Sequence, residues 1–292
     1  MPQVKEIEYV IAPPPPHMVG DGFRVHGFLP NQVIPADRMD PFLMMDYMGR
    51  FEFPAAITPK GVGPHPHRGL ETVTLLYEGE ISHGDNTGNS GTIKEGDVQW
   101  MTSGKGILHK EYHSQDFTEK GGVLHGVQLW VNLPAKDKMS APKYQELLHA
   151  NMTKLAIPNG GGVINIIAGE IDGNEGVAET FSPVHIYDIQ YEAGAEIALN
   201  LPDNYNTCVL ASEGEAAFNN QIVPENHVGL FKNEGSLIVI NAKSKGRALV
   251  LSGEPLNEPI ASQGPFVMNT SDEIKQAYHD YNTGVFGPLH GW

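Results

Sequence analysis

Two short clusters carry the residue types best suited to chemistry, HPH at 65–67 and HKE at 109–111. Each sets two metal-binding side chains one residue apart: His65 with His67, then His109 with Glu111. Side chains alternate faces along an extended strand, so residues i and i+2 point the same way. Clusters on neighbouring strands can therefore aim all four side chains into one cavity. Three imidazoles and one carboxylate hold a borderline first-row metal and leave coordination positions open for a substrate. A lone histidine reads as a core or solvated hydrogen-bonding group. Two i/i+2 pairs instead predict a mononuclear metal site.

The elements around these clusters read as short strands. Ile7–Ile11 alternates loosely and stops at Pro13–Pro16, a stiff extended run. Phe42–Tyr47 follows the Asp40-Pro41 break, and Glu71–Tyr77 is rich in β-formers. The stretch 84–91 (GDNTGNSG) is dense in turn residues, and strands are expected at Asp97–Met101 and Val123–Leu133. The second half has the same texture, with strands at Val163–Ile167, Val184–Gln190, Glu196–Leu199, Cys208–Leu210, Val228–Phe231, Leu237–Asn241 and Arg247–Leu251. Strands at this spacing, separated by turns, predict an all-β sandwich or barrel. The phrase at 75–80 (LLYEGE) has an echo at 209–215 (VLASEGE), which points to duplicated units. No His-x-His accompanies the second copy: Asn204, Tyr205 and Asn206 stand upstream, and His185 and His227 are isolated. One metal per chain is expected. The polar stretch 134–142 (PAKDKMSAP) reads as a linker, giving domains 1–134 and 135–292. Near the end, Ser271 can cap a helix running to about Tyr281, with Ile274, Ala277 and Tyr278 inward.

Composition limits the partners. The 292 residues carry a formal net charge of −16, which argues against a basic footprint for nucleic acid or anionic lipid. Cys208 is the single cysteine, so no intramolecular disulfide can form, and the residue reads as a small buried apolar group. The first residues (MPQVKEIEYVIAPPPP) place charges where a signal peptide needs an apolar core. No apolar run approaches the ~18 residues of a membrane span. These features predict a soluble, cytoplasmic protein.

Longer motifs narrow the reading. Asp40-Pro41-Phe42-Leu43, Pro64-His65-Pro66-His67-Arg68-Gly69 with Glu71-Thr72-Val73-Thr74, and Gly88-Asn89-Ser90-Gly91 resemble the pirin family of bicupins. The likeness continues through 96–102 (GDVQWMT), 106–111 (GILHKE), 253–256 (GEPL) and 264–270 (GPFVMNT). It implies an all-β fold of tandem cupin barrels (double-stranded β-helices) with a short C-terminal helix. It also implies one divalent metal in the N-terminal barrel, Fe(II) first, held by His65, His67, His109 and Glu111. Nickel, copper, manganese and zinc suit the same donors. Many cupins use a glutamate soon after His-x-His, and Glu71 stands there, so it is kept beside Glu111 as the alternative carboxylate.

The resemblance further implies an oxidoreductase of the quercetin 2,3-dioxygenase type, opening a flavonol or related enolisable substrate with O2. Glu111 is then the catalytic base that takes the substrate's hydroxyl proton. The competing implication is an iron-dependent redox-sensing regulator that binds a protein partner, a transcription factor or metabolic enzyme, without physiological catalysis. Other residues carry smaller expectations. His83 is expected in the cavity or in a turn, His113 at the surface, and Trp100, Met101, Gln128 and Trp130 in a pocket or plain core. His17 and His26 flank a glycine-rich turn and are given no role.

Overall fold

The computed structural model describes residues 2–288, which form two compact units that interleave along the chain. One gathers the residues up to Pro14, Arg38–Asp40 and Ala150–Pro255; the other gathers Pro15–Asp37, Pro41–His149 and the residues from Leu256 on. This corrects the expected division at 134/135. The strand Ile7–Ile11 pairs with His227–Phe231, so the first residues complete the C-terminal unit. The strand Lys143–Leu147 pairs with Val98–Thr102, so the chain stays with the N-terminal unit past the expected linker. Within that stretch Lys138 is buried, and its ammonium donates to Gly69 O, Asn132 Oδ1 and Val267 O. Three acceptors around one buried cation make it a structural tie rather than a solvated linker residue.

Each unit is built on a pair of antiparallel sheets, with a further two-stranded ribbon beside them. In the N-terminal unit a seven-stranded sheet is ordered Lys143–Leu147, Val98–Thr102, Leu70–Glu78, Gly122–Asn132, Phe42–Phe53, Phe23–Leu29 and His17–Val19. The four-stranded sheet is ordered Gly61–His67, Ile107–His113, Ile81–Asp85 and Ser90–Ile93. The C-terminal unit repeats both orders. Its large sheet runs Ile7–Ile11, His227–Phe231, Asn206–Glu213, Gly246–Gly253, Val184–Tyr191, Gly162–Ala168 and Thr153–Ile157. Its small sheet runs Glu196–Asn200, Leu237–Ala242, Ala216–Phe218 and Gln221–Val223. The two strands that share Glu-Gly-Glu at their ends, Leu70–Glu78 and Asn206–Glu213, occupy the same place in their sheets.

Matching orders make the strand counterparts explicit. The counterpart of the His65 strand is Glu196–Asn200, and that of the His109 strand is Leu237–Ala242; neither contains a histidine. The positions upstream of Cys208 are therefore not where lost ligands would stand. Ile197, Leu199, Ile238 and Ile240 instead join an apolar core with Phe218, Phe231 and Val250. The C-terminal barrel is filled by hydrocarbon.

The last helix, Ser271–Asn282, belongs to the N-terminal unit. Its cap is Thr270 rather than the expected Ser271. The Thr270 hydroxyl accepts from Glu273 N, and the Glu273 carboxylate accepts from Thr270 N, a reciprocal box that satisfies two end donors. Ile274 and Ala277 are buried against Phe266 and Phe286. Among the described residues no helix is long and apolar enough to cross a membrane.

Candidate metal centre

His65 and His67 sit on Gly61–His67 and His109 and Glu111 on Ile107–His113, paired antiparallel with His109 opposite His65. The sequence favours this because HPH and HKE are each extended, and strand alternation turns both i/i+2 pairs inward. One donor nitrogen from each of His65, His67 and His109 lies within 4.8 Å of the others. The ring centroids of His65 and His109 are 4.2 Å apart, and His67 is 5.0 Å from each. Three imidazoles converge.

Their ring orientations are set from outside. His65 Nδ1 donates to Gly63 O at 2.8 Å, and His67 Nδ1 donates to Pro265 O at 3.2 Å. A carbonyl can only accept, so each ring carries a proton on Nδ1, and Nε2 is the nitrogen left to bind a metal. Both ring nitrogens of the fully buried His109 lack a hydrogen bond. Burial and the neighbouring His65 push the His67 pKa down to about 3, and burial holds His109 well below the usual imidazole range. Neutral imidazoles are the form that binds metal. An orphaned imidazole beside two aimed lone pairs fits a first-row ion.

Glu111 is nearby but differently held. A register irregularity between His109 and Glu111 sets Glu111 opposite Val62, and its carboxylate is not within that 4.8 Å of all three nitrogens. Gln128 Nε2 donates to Oε1 at 3.0 Å and to Oε2 at 3.1 Å, and the Thr74 hydroxyl lies 3.5 Å from Oε1. Burial raises the Glu111 pKa, with His65, Gln128 and Thr74 acting against that rise. Beside it a small cavity is lined by Asp46, Thr74, Glu111 and Gln128 together with Phe23 and Met48.

Glu71 is not brought to the histidines. Gly69, at φ +79°, ends the alternation between His67 and the next strand; a Cβ there would strike Val267 O. Glu71 therefore belongs to the large sheet, on the face opposite Thr74, where the Thr102 hydroxyl donates to it at 2.7 Å.

The family models decide what kind of barrel pair this is. The pirin model matches residues 22–131, and the pirin C-terminal cupin domain matches residues 186–287. The chain belongs to the pirin family. A Pseudomonas aeruginosa protein named "Putative quercetin 2,3-dioxygenase PA2418" is 45% identical over 274 residues, 94% of this chain and 96% of that one. A pirin-like protein of Solanum lycopersicum is 42% identical over 253 residues, 85% of this chain and 82% of its own length. The crystal structure of a quercetin 2,3-dioxygenase from Acinetobacter baumannii superposes with a TM-score of 0.93 at 41% identity, covering 98% of this chain and 99% of that one. The tandem cupin fold expected from the motifs is the fold of this chain.

Within this pirin fold, other expected residues take definite places. Gln128 reaches the site through Glu111, and the Trp130 ring centroid is 5.2 Å from that of His67. Met101 shares the Thr72 face, whereas Trp100 is fully buried on the opposite side of its strand. His83 is buried and stacked on Tyr144. His113 is not at the surface: it is buried among Phe23, Phe53 and Phe117, with its Nε2 donating to Gly22 O at 2.8 Å. Pro265, which orients His67, is not legible in the sequence as a site residue; its only signal is that Gly264-Pro265 falls inside a pirin motif.

Proposed function

We propose that this chain is a metal-dependent dioxygenase of the quercetin 2,3-dioxygenase type, acting on a flavonol or related enolisable substrate with O2. The observation that carries the reading is the convergence of three imidazoles, two of them buried, near a buried carboxylate held on Gln128 and Thr74. Names of close relatives support it, because the P. aeruginosa and A. baumannii proteins are both named for this activity.

In this reading His65, His67 and His109 hold one ion, Fe(II) first, with Glu111 as the fourth group. Nickel, copper, manganese and zinc are the competing ions for such donors. When bound, the ion supplies Lewis acidity and, if redox-active, one-electron chemistry. The chain's own residues handle binding and protons. Glu111, with its affinity for a proton raised by burial, accepts the hydroxyl proton of an enolisable substrate. Gln128 and Thr74 hold the carboxylate in place so that it does not rotate freely. Trp130 beside His67, and Phe23, Val25 and Met48 lining the cavity, keep bulk water away from the reacting groups.

The test is anaerobic reconstitution with Fe(II), followed by oxygen uptake and carbon monoxide detection with quercetin. Turnover that disappears in His67→Ala supports the dioxygenase. Tight iron binding without turnover would transfer the reading to the redox-sensing regulator of a protein partner.

A further inference from the structure

We propose that His83, Gln99 and Tyr144 form a second, uncharged polar subsite beside the histidines, which binds the hydroxylated ring of a neutral aromatic substrate. It rests on the reading of the histidine cluster as the reaction centre.

The strands bring the three residues together. His83 stands opposite Glu111 in the pairing of Ile81–Asp85 with Ile107–His113. Gln99 stands opposite both Thr74 and Glu146, and Tyr144 opposite Met101. Directly opposed residues share a face of a sheet. Thr74 donates to Glu111 in the barrel interior, so Gln99 and Tyr144 turn to that same interior. The His83 and Tyr144 rings stack with centroids 5.3 Å apart and planes 16° from parallel. This stack bridges the small sheet and the edge strand of the large one.

The polar atoms of this cluster lack partners. Both ring nitrogens of His83, both amide atoms of Gln99 and the Tyr144 hydroxyl are buried without a hydrogen bond of ordinary geometry. Gln99 and Tyr144 attract each other, but short of a formed bond. His83 and Gln99 are only 5% and 2% exposed, so solvent at the surface cannot serve them. Native proteins leave few buried polar groups unpaired, because each such group loses its hydration for nothing. Five in one place, next to a His109 that also lacks hydrogen bonds, describe a site that a ligand completes.

The chemistry of the five atoms selects the ligand. Imidazole, amide and phenol together offer donors and acceptors with no formal charge. Asp85 and Glu111 act on the Tyr144 hydroxyl with negative potential, and Glu146 borders the cluster. Anions such as carboxylates or phosphates are disfavoured there. Neutral hydroxyl groups, which both donate and accept, are favoured. Gly91 packs closely against this cluster: a Cβ at that position would stand 2.8 Å from His83 Nε2 and strike the Glu146 carboxylate. Glu146 is exposed and His109 fully buried, so the subsite leads from solvent towards the histidines. The flat His83–Tyr144 stack, with planes 16° from parallel, matches the shape of a planar ring.

The test uses zinc-loaded protein under anaerobic conditions, so that no O2-dependent turnover can occur. Two flavonols are titrated by fluorescence: quercetin, and an analogue without hydroxyls on its pendant ring. Tyr144→Phe and Gln99→Leu should each weaken quercetin about 5- to 10-fold, as loss of a hydrogen bond requires. The analogue should change less than about twofold, and zinc content by elemental analysis should stay at the wild-type level. Equal effects on both flavonols, or none on either, overturn the subsite while leaving the flavonol reading intact. If wild-type protein binds neither flavonol, that reading falls, and resorcinol becomes the probe. Resorcinol binding that weakens in Tyr144→Phe then supports the subsite, and its absence overturns it.

Discussion

Gln128 Nε2 lies 3.0 and 3.1 Å from the two carboxylate oxygens of Glu111, so one amide holds both ends of the group. Gln128 lies opposite Thr74 in the neighbouring strand, and the Thr74 hydroxyl faces the same carboxylate. Partners of this kind orient a metal-binding group, and their loss typically costs ~10–100-fold in metal affinity. Gln128→Met keeps the volume and removes the donors. It should weaken metal binding by about tenfold or more, read by competition with a chromophoric chelator.

The histidines and Glu111 should differ in what their loss does. His67 presents one of three converged nitrogens, so His67→Ala should strip most metal from purified protein. Glu111→Ala should also lower occupancy, and Glu111→Gln should abolish turnover at any metal content because an amide cannot accept the proton. Elemental analysis beside oxygen uptake separates the two effects. Full occupancy in both alanine variants would remove these residues from the ligand set.

Glu71 carries the clearest pH signature. Burial pushes its carboxyl up to about 7, and the Thr102 hydroxyl only partly offsets that. The folded chain therefore binds this proton more tightly than the unfolded chain, whose glutamate titrates near 4.5. Between those values unfolding releases a proton, so stability falls as pH rises through the window. The loss is complete above about pH 7 and amounts to at most about 3 kcal/mol. Glu71→Gln cannot ionise. Urea unfolding from pH 5 to 8 should show a flatter profile for the variant, and greater stability than wild type at pH 8.

Arg68 follows His67 directly and is anchored by the end of the chain. Its guanidinium pairs with Asp280 at 2.8 Å, donates from Nε to Lys105 O, and lies over the Phe286 ring at 4.7 Å. Arg68 is 3% exposed, so removing its counter-charge leaves a buried cation. Asp280→Asn should destabilise the fold by about 2 kcal/mol, less than a fully buried pair because Asp280 keeps some solvent. Thermal unfolding checks the stability, and a metal-retention assay checks whether His67 drifts with its neighbour.

The sequence was most informative where the physics is local. Strand alternation acts over two residues, so HPH and HKE alone predict that His65, His67, His109 and Glu111 face one interior; the structure converges the three histidines and holds Glu111 on Gln128 and Thr74. The Glu-Gly-Glu echo likewise marked two strands that occupy matching places in matching sheets. Pirin motifs then carried the fold across most of the chain.

What tertiary structure alone decided lies in contacts between distant segments. Glu71 is an even number of residues from His67, yet the left-handed turn at Gly69 sends it to another sheet. Pro265 orients His67 from 198 residues away, and Lys143–Leu147 supplies Tyr144 only because it pairs with Val98–Thr102. The domain boundary moved for the same reason, since edge strands join whichever sheet pairs with them. Alternation says which side of its own strand a residue faces. It carries no information about which strand lies across the barrel, because that is set by long-range backbone pairing and burial.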